Sequence, residues 1–186
     1  MTTGLIHNYI ERLANLLRNE ARTAGAEYSL QPIQQEALNY LNLCNRYSNT
    51  PLGVTEYLGL TKGTVSQSIK VLEKKGLVEK LSDKKDKRVI HLKVTATGKR
   101  LLKRLHPSQL LSHACQDASD QEVLADHLKS LLLKIQKENN LKTFGVCHTC
   151  RYNQSEENGK FICGLTHETL TKTDIHLICR EHDIQE

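Results

Sequence analysis

A chain of 186 residues has length for one well-buried core and a small appendage. It contains no run near the roughly 18 apolar residues that a membrane span needs, and no apolar N-terminal h-region, so the expectation is a cytoplasmic protein with no membrane partner. In a reducing compartment its six cysteines are better suited to be thiols or metal ligands than a disulfide framework. The net charge of +5 conceals an asymmetry: residues 61–106 hold 14 basic and 4 acidic residues, a local +10, while the rest holds 12 and 17 and carries −5. A basic block in an acidic chain points to a localised polyanion contact, against the plainer reading of a solvated Lys-rich face.

In the first segment Ile6, Ile10, Leu13 and Leu17 recur at intervals of four, three and four, with Tyr9 and Leu16 beside them. This is the stripe of an amphipathic helix. A second helix follows from Pro32, whose missing N–H is harmless in a first turn; Ile33, Ala37, Leu41 and Cys44 share its face. Cys44 reads as a small buried apolar residue.

The stretch "SNTPLGVTEYLGLTKGTVSQSIKVLEKKGLVEKL" predicts a short helix over 54–58 ending near Gly59. Thr61 then caps a second helix running to about Lys75. Val65, Ile69 and Leu72 turn inward, whereas Gly63, Ser66, Gln67, Lys70 and Lys74 turn outward. Two short helices around a tight turn, the second polar and basic outside, form a helix-turn-helix. Lys62, Thr64, Ser66, Gln67 and Lys70 are the candidates to read or approach a major groove, hydroxyls and amides at base edges and lysines at phosphates.

Gly76 closes that helix, and "LVEKLSDKKDKRVIHLKVT" alternates as two strands around a polar tip. A hairpin after a helix-turn-helix is a wing, here bearing Lys84, Lys85, Lys87 and Arg88 for a minor groove or flanking phosphates. Helix resumes in "TATGKRLLKRL" up to Pro107. A long final helix places Leu124, Leu128, Leu131 and Ile135 in register, with Leu132 adjacent. The first and last helices carry more apolar surface than a small winged helix can bury, and predict a homodimerisation layer over an intramolecular pair.

With these elements in order, residues 5–140 resemble the multiple-antibiotic-resistance regulator (MarR) family of bacterial transcription factors. The most specific element is "DKKDKRVIHLKVTATGKRLL", similar to that family's wing signature, with Asp86 and Arg88 at its Asp and Arg positions. The resemblance implies that Arg88 enters the minor groove with Asp86 supporting it. It also implies a homodimer on a pseudo-palindromic double-stranded DNA operator, usually as a repressor, with a small-molecule effector or oxidant acting in many members. The fold class expected is mainly α with a small β-wing: a winged helix-turn-helix and helical dimerisation layer over 1–140, followed by a small Cys-rich module over 141–186.

That extension departs from the family. Cys147, Cys150, Cys163 and Cys179 are spaced C-x2-C, twelve residues, C, fifteen residues, C, with His182 three residues after the last. Four of six cysteines within 33 residues make a metal-binding module, in which thiolates are stabilised by metal charge. Zinc, held by four cysteines or by three and His182 as alternative ligand, is favoured over an iron–sulfur cluster, which tolerates scattered spacing. The remaining alternative is a thiol-disulfide redox protein using Cys147 and Cys150. His148, His167 and His176 read as surface histidines, and Cys115 as a buried helix-end residue rather than a peroxide sensor.

The segment "TKTDIHLICREH" predicts a helix carrying Ile175, Ile178 and Cys179, after a strand end at Phe161 and Ile162 and a turn at Gly164. The module follows the long helix directly, so its occupancy is expected to act through that helix on the spacing of two recognition helices. No nucleophile–base pair, phosphate loop or paired carboxylates stand out, and the chain is not expected to be an enzyme. A winged helix that contacts protein or RNA is the other alternative.

Overall fold

The structure, a computed structural model, describes residues 2–83, 86–105, 109–156 and 159–184. Its first helix, α1 (Thr2–Ala26), leaves Leu5, Ile6, Tyr9, Ile10, Leu13 and Leu16 exposed. Only its C-terminal end joins the core, where the buried Gln35 amide donates to the carbonyl of Ala21 at 2.7 Å. Gln35 belongs to α2 (Pro32–Leu43), which opens on Pro32 and buries Ala37, Leu38, Tyr40 and Leu41.

α3 (Pro51–Leu58) and α4 (Lys62–Lys74) form the helix-turn-helix. Each starts on a threonine in extended backbone: Thr50 Oγ1 accepts from Gly53 N–H at 3.1 Å and Thr61 Oγ1 from Thr64 N–H at 3.2 Å. Such caps satisfy donors that the first turn leaves unpaired, each contributing about 1 kcal/mol. Val65, Ile69 and Leu72 of α4 are almost fully buried against α2 and α3, as the four–three spacing predicts. At about 1.5–3 kcal/mol per fully buried aliphatic side chain, these three fix the inward face of α4 and hence its outward one.

Gly76, at φ 66°, turns the chain into the wing. β1 (Val78–Ser82) pairs antiparallel with β2 (Ile90–Val94), Val78 opposite Val94 and Ser82 opposite Ile90. Thr95 then caps α5 (Ala96–Leu105), its hydroxyl accepting from Gly98 N–H at 3.1 Å and donating to the Gly76 carbonyl at 2.7 Å. α6 (Gln109–Ala114) and α7 (Ala118–Glu138) follow. No described residue of α7 is buried, and Val123, Leu124, Leu128, Leu132 and Ile135 lie open along it.

The C-terminal segment folds back onto the winged helix. Phe144 packs edge-on against Tyr40 and Tyr57, with ring centroids 6.1 and 5.3 Å away. Three short strands, β3 (Asn153–Ser155), β4 (Phe161–Cys163) and β5 (Thr169–Leu170), form an antiparallel meander.

The helix expected over 171–182 is absent. A single 3-10 turn at Asp174–His176, closed by Asp174 Oδ2 accepting from Thr171 N–H and Oγ1 at 2.8 Å each, gives way to extended chain. Tertiary pairing takes the hydrogen bonds that a helix would need. Ile178 N–H donates to the Leu43 carbonyl at 2.9 Å, Asn45 N–H donates to the Ile178 carbonyl at 2.8 Å, and Cys147 N–H donates to the Leu177 carbonyl at 3.1 Å. Ile178 thus bridges the end of α2 on one side and Val146 on the other.

Candidate nucleic-acid interface and cysteine site

On α4, Lys62, Thr64, Ser66, Gln67 and Lys70 are all exposed, while Ser68 between them is buried. Lys62, Ser66 and Lys70 recur every four residues on one face. The Thr64 hydroxyl also lies 2.9 Å from that of Thr61, which ties it to the cap.

At the wing tip the Arg88 guanidinium grips Asp86: Nε donates to Oδ1 at 3.0 Å and Nη2 to Oδ2 at 2.9 Å, while Arg88 N–H donates to Oδ1 at 3.0 Å. Arg88 holds the Asp86 carboxyl below the usual carboxylate range, mainly through its side chain and then through its N–H. The Arg88 side chain is 91% exposed. A guanidinium presented in a set orientation with its charge in water is suited to a groove or phosphate. Lys87 is exposed beside it; Lys84 and Lys85 lie outside the described residues.

The loop between α2 and α3 is a junction that the sequence did not single out. The Asn49 carbonyl accepts from Leu92 N–H at 2.6 Å, and its amide oxygen lies 2.6 Å from His91 Nδ1, joining the loop to the wing. The Ser48 carbonyl accepts from the buried Tyr40 hydroxyl at 2.9 Å. From the other side, Arg180 N–H donates to Ser48 Oγ at 2.8 Å, and the Arg180 guanidinium clasps Glu56 of α3 at 2.5 and 2.8 Å. Arg46 reaches out to Asp174 at 3.2 Å and to the Thr169 carbonyl at 3.0 Å.

Beside this loop the fold brings Cys147, Cys150, Cys163 and Cys179 around one small cavity of about 30 Å³, which Asn45 and Asn153 also line. Cys147 and Cys150 come from a 3-10 turn and its cap, Cys163 from the end of β4, and Cys179 from the extended segment beside α2. Burial, and then the neighbouring Cys179, Cys150 and Cys163 thiols, push the Cys147 thiol up to about 12. Burial also raises Cys179, opposed by hydrogen bonds from Asn45 and Ser48.

Asn153 has its amide oxygen buried without a partner among the described residues. Among those residues, no three His, Cys, Asp or Glu side chains gather into an ion-sized cage; the four cysteines share the cavity lining with eight other residues.

His182 does not line this cavity. Its Nδ1 lies 2.6 Å from the Thr143 hydroxyl and its Nε2 2.9 Å from that of Thr149, so both ring nitrogens are engaged. Gly145 lies flat against the ring, where any Cβ would overlap it. Burial lowers the His182 pKa, and the ring links Thr143 to Thr149. His148, His167 and His176 do not line the cavity either. Cys44 is buried at the end of α2, its thiol pushed up to about 12 by burial, whereas Cys115, expected buried, is half-exposed beyond α6.

Residues 50–89, which cover the helix-turn-helix and the first strand of the wing, match the profile described as "MarR family". Among solved structures the chain is similar to the transcriptional regulator BldR from Sulfolobus solfataricus, with 19% identity and a TM-score of 0.61 over 72% of this chain and 96% of that one. The fold is that of a MarR-type winged helix. A MarR protein from Peptoclostridium difficile DA00132 is similar at 20% identity and TM-score 0.61, over 72% of this chain and 88% of that one. MepR of S. aureus, solved as a DNA complex, is similar at 18% and 0.57, over 69% and 94%. No curated protein matches the sequence. At these identities the likeness speaks for the MarR-type architecture alone, and the chemistry rests on the residues described above.

Proposed function

We propose that this chain is a sequence-specific DNA-binding transcriptional regulator that works as a homodimer on a pseudo-palindromic operator and represses by occupying it. The observation that carries this reading is the wing pair of Asp86 and Arg88: a guanidinium held by both oxygens of one carboxylate yet open to water, beside a recognition helix whose outward face is Lys62, Thr64, Ser66, Gln67 and Lys70. The DNA complex of the similarly folded MepR supports the same use of the architecture.

Dimerisation is supported by the two open apolar faces of α1 and α7. Contiguous apolar surface of that kind marks a contact, and a two-fold protein matches two-fold half-sites one helical turn apart. The four-cysteine cavity supplies the second part of the proposal, a resident metal site held by Cys147, Cys150, Cys163 and Cys179 through which metal or redox state reaches the regulator.

Selection from a random duplex library, followed by anisotropy titration at fixed salt, tests the DNA reading. The expected result is an enriched inverted repeat bound far more tightly than random duplex, with a steep salt dependence from phosphate contacts. No enrichment, together with equal affinity for RNA or random DNA, would sink it.

A further inference from the structure

We infer that His91 is a positioning residue for the wing: it ties the tip that carries Arg88 to the start of the helix-turn-helix, and so sets where that guanidinium stands relative to α4. This role rests on the DNA-binding reading above and falls to a side chain outside the basic surface. The wing needs such a tie. The last pair of the ladder between β1 and β2 is Ser82 with Ile90, and a two-stranded hairpin is only marginally stable alone. Beyond that pair Asp83 N–H donates to the Val89 carbonyl, and Val89 N–H to the Asp86 carbonyl, both at 2.9 Å. These bonds close the turn on itself without joining it to the helices.

His91 and Asp83 make that join. One Asp83 carboxylate oxygen accepts from Asp86 N–H at 2.8 Å, and the other lies 3.2 Å from His91 Nε2. A carboxylate only accepts, so Nε2 donates. The opposite ring nitrogen, Nδ1, lies 2.6 Å from the Asn49 amide oxygen, and the Asn49 carbonyl takes Leu92 N–H at 2.6 Å. Asn49 stands between Ser48, whose carbonyl accepts from the buried Tyr40 hydroxyl, and Thr50, which caps α3. The path therefore runs from the first turn of α3 through Asn49, His91 and Asp83 to the backbone of Asp86, whose carboxylate grips Arg88. The His91 and Asp83 side chains are 23% and 31% exposed, against 91% for Arg88, so the tie is sheltered and the charge it aims is open. A guanidinium held in place beforehand loses less freedom on meeting DNA.

Two measurements on the full chain test this. The first is hydrogen exchange without DNA, comparing wild type with His91→Leu, which removes both ring nitrogens, and with Asn49→Ala, which keeps the carbonyl that holds Leu92. The second variant cuts the same path from its other end and keeps the test decisive if leucine disturbs the strand. Faster exchange over 86–90 is expected in both, with the protected core of α4 unchanged; wild-type exchange over 86–90 in both would overturn the tie. The second measurement is operator affinity, read as a cycle with Arg88→Ala. Each of the two variants is expected to weaken binding on the order of tenfold when Arg88 is present and less than about twofold when it is absent, the mark of two residues acting as one unit. Equal losses in the two backgrounds would reveal a general loss of structure and overturn the positioning role.

The operator is the inverted repeat selected by wild type from the duplex library. A wild type that selects none overturns the DNA reading and the positioning role with it, whatever the exchange shows. A wild type that binds, with both variants binding equally well, overturns the positioning role alone.

Discussion

Arg180 binds Glu56 through two nitrogens on two carboxylate oxygens, at 2.5 and 2.8 Å, across 124 positions of sequence. It links the cysteine module to the helix-turn-helix side chain to side chain. The pair is half-buried, with side chains 22% and 30% exposed, so solvent screens part of its attraction. Arg180→Gln is expected to lower stability by about 1–2 kcal/mol, within the range for hydrogen bonds to charged groups. The check is urea denaturation of the two proteins at matched metal content.

The same pair predicts a pH dependence. Arg180 holds the Glu56 carboxyl below its ordinary value of 4.5, first by hydrogen bonding and then, against a smaller burial effect, by its charge together with that of Lys142. Since the folded pKa is depressed, the stabilisation is complete above the unfolded value and is lost as pH falls through the folded one. Docking of the module should therefore hold at neutral pH and weaken below about pH 4.5. Limited proteolysis at 142–184 across that window should show wild type opening as acid is added, and Glu56→Gln opening to the same extent throughout.

Arg88→Ala is expected to weaken operator binding on the order of ten- to a hundredfold and to reduce the salt slope by about one. Asp86→Asn should weaken it less, because the guanidinium remains but loses its orienting partner. Affinity unchanged in both would remove the wing from the interface. Gln67→Ala should relax sequence preference more than it lowers overall affinity, since an amide reads base edges and a lysine reads phosphate.

His182→Gln separates a strut from a ligand. The substitution removes the ring that Thr143 and Thr149 hold, at an expected cost of about 1–3 kcal/mol for disturbed buried hydrogen bonds. Metal content per folded chain should be unchanged. A drop to the level of a cysteine variant would show that His182 binds the metal after all.

Leu128→Lys places a charge on the open face of α7, and Tyr9→Glu does so on α1. If these faces meet a second copy, each variant should shift the protein from dimer to monomer in sedimentation at micromolar concentration. Binding to a full inverted repeat should fall toward that of a half-site, without change at the single half-site.

Much of the winged helix was legible because its signals are local. Thr50 and Thr61 announce two helix starts, Val65, Ile69 and Leu72 fix which face of α4 turns inward, and alternation frames the wing around Asp86 and Arg88. The cysteine module was legible as a donor set and much less as a shape. Spacing gathered Cys147, Cys150, Cys163 and Cys179 correctly into one neighbourhood. It also offered His182 as an alternative ligand, and the structure sets that ring between Thr149 and Thr143, 33 and 39 residues away. Ile175, Ile178 and Cys179 have helical spacing, yet Ile178 surrenders its backbone bonds to Leu43 and Asn45. Periodicity reports which side chains seek burial and says nothing of a competing strand partner elsewhere in the chain.

By itself, then, the sequence determined the helix-turn-helix, the basic wing and the open apolar stripes, since each depends on neighbours within one or two turns or one hairpin, and it marked four cysteines within 33 residues as a set. Only the tertiary structure decided that the four cysteines line one small cavity together with Asn45 and Asn153. It also decided that the module packs against the loop between α2 and α3, with Arg180 on Ser48 and Glu56. Both outcomes depend on contacts such as those of Arg180 with Glu56 and Ile178 with Leu43. Loop closure allows such contacts at modest entropic cost, growing only slowly with the separation of the partners, and no local pattern encodes them.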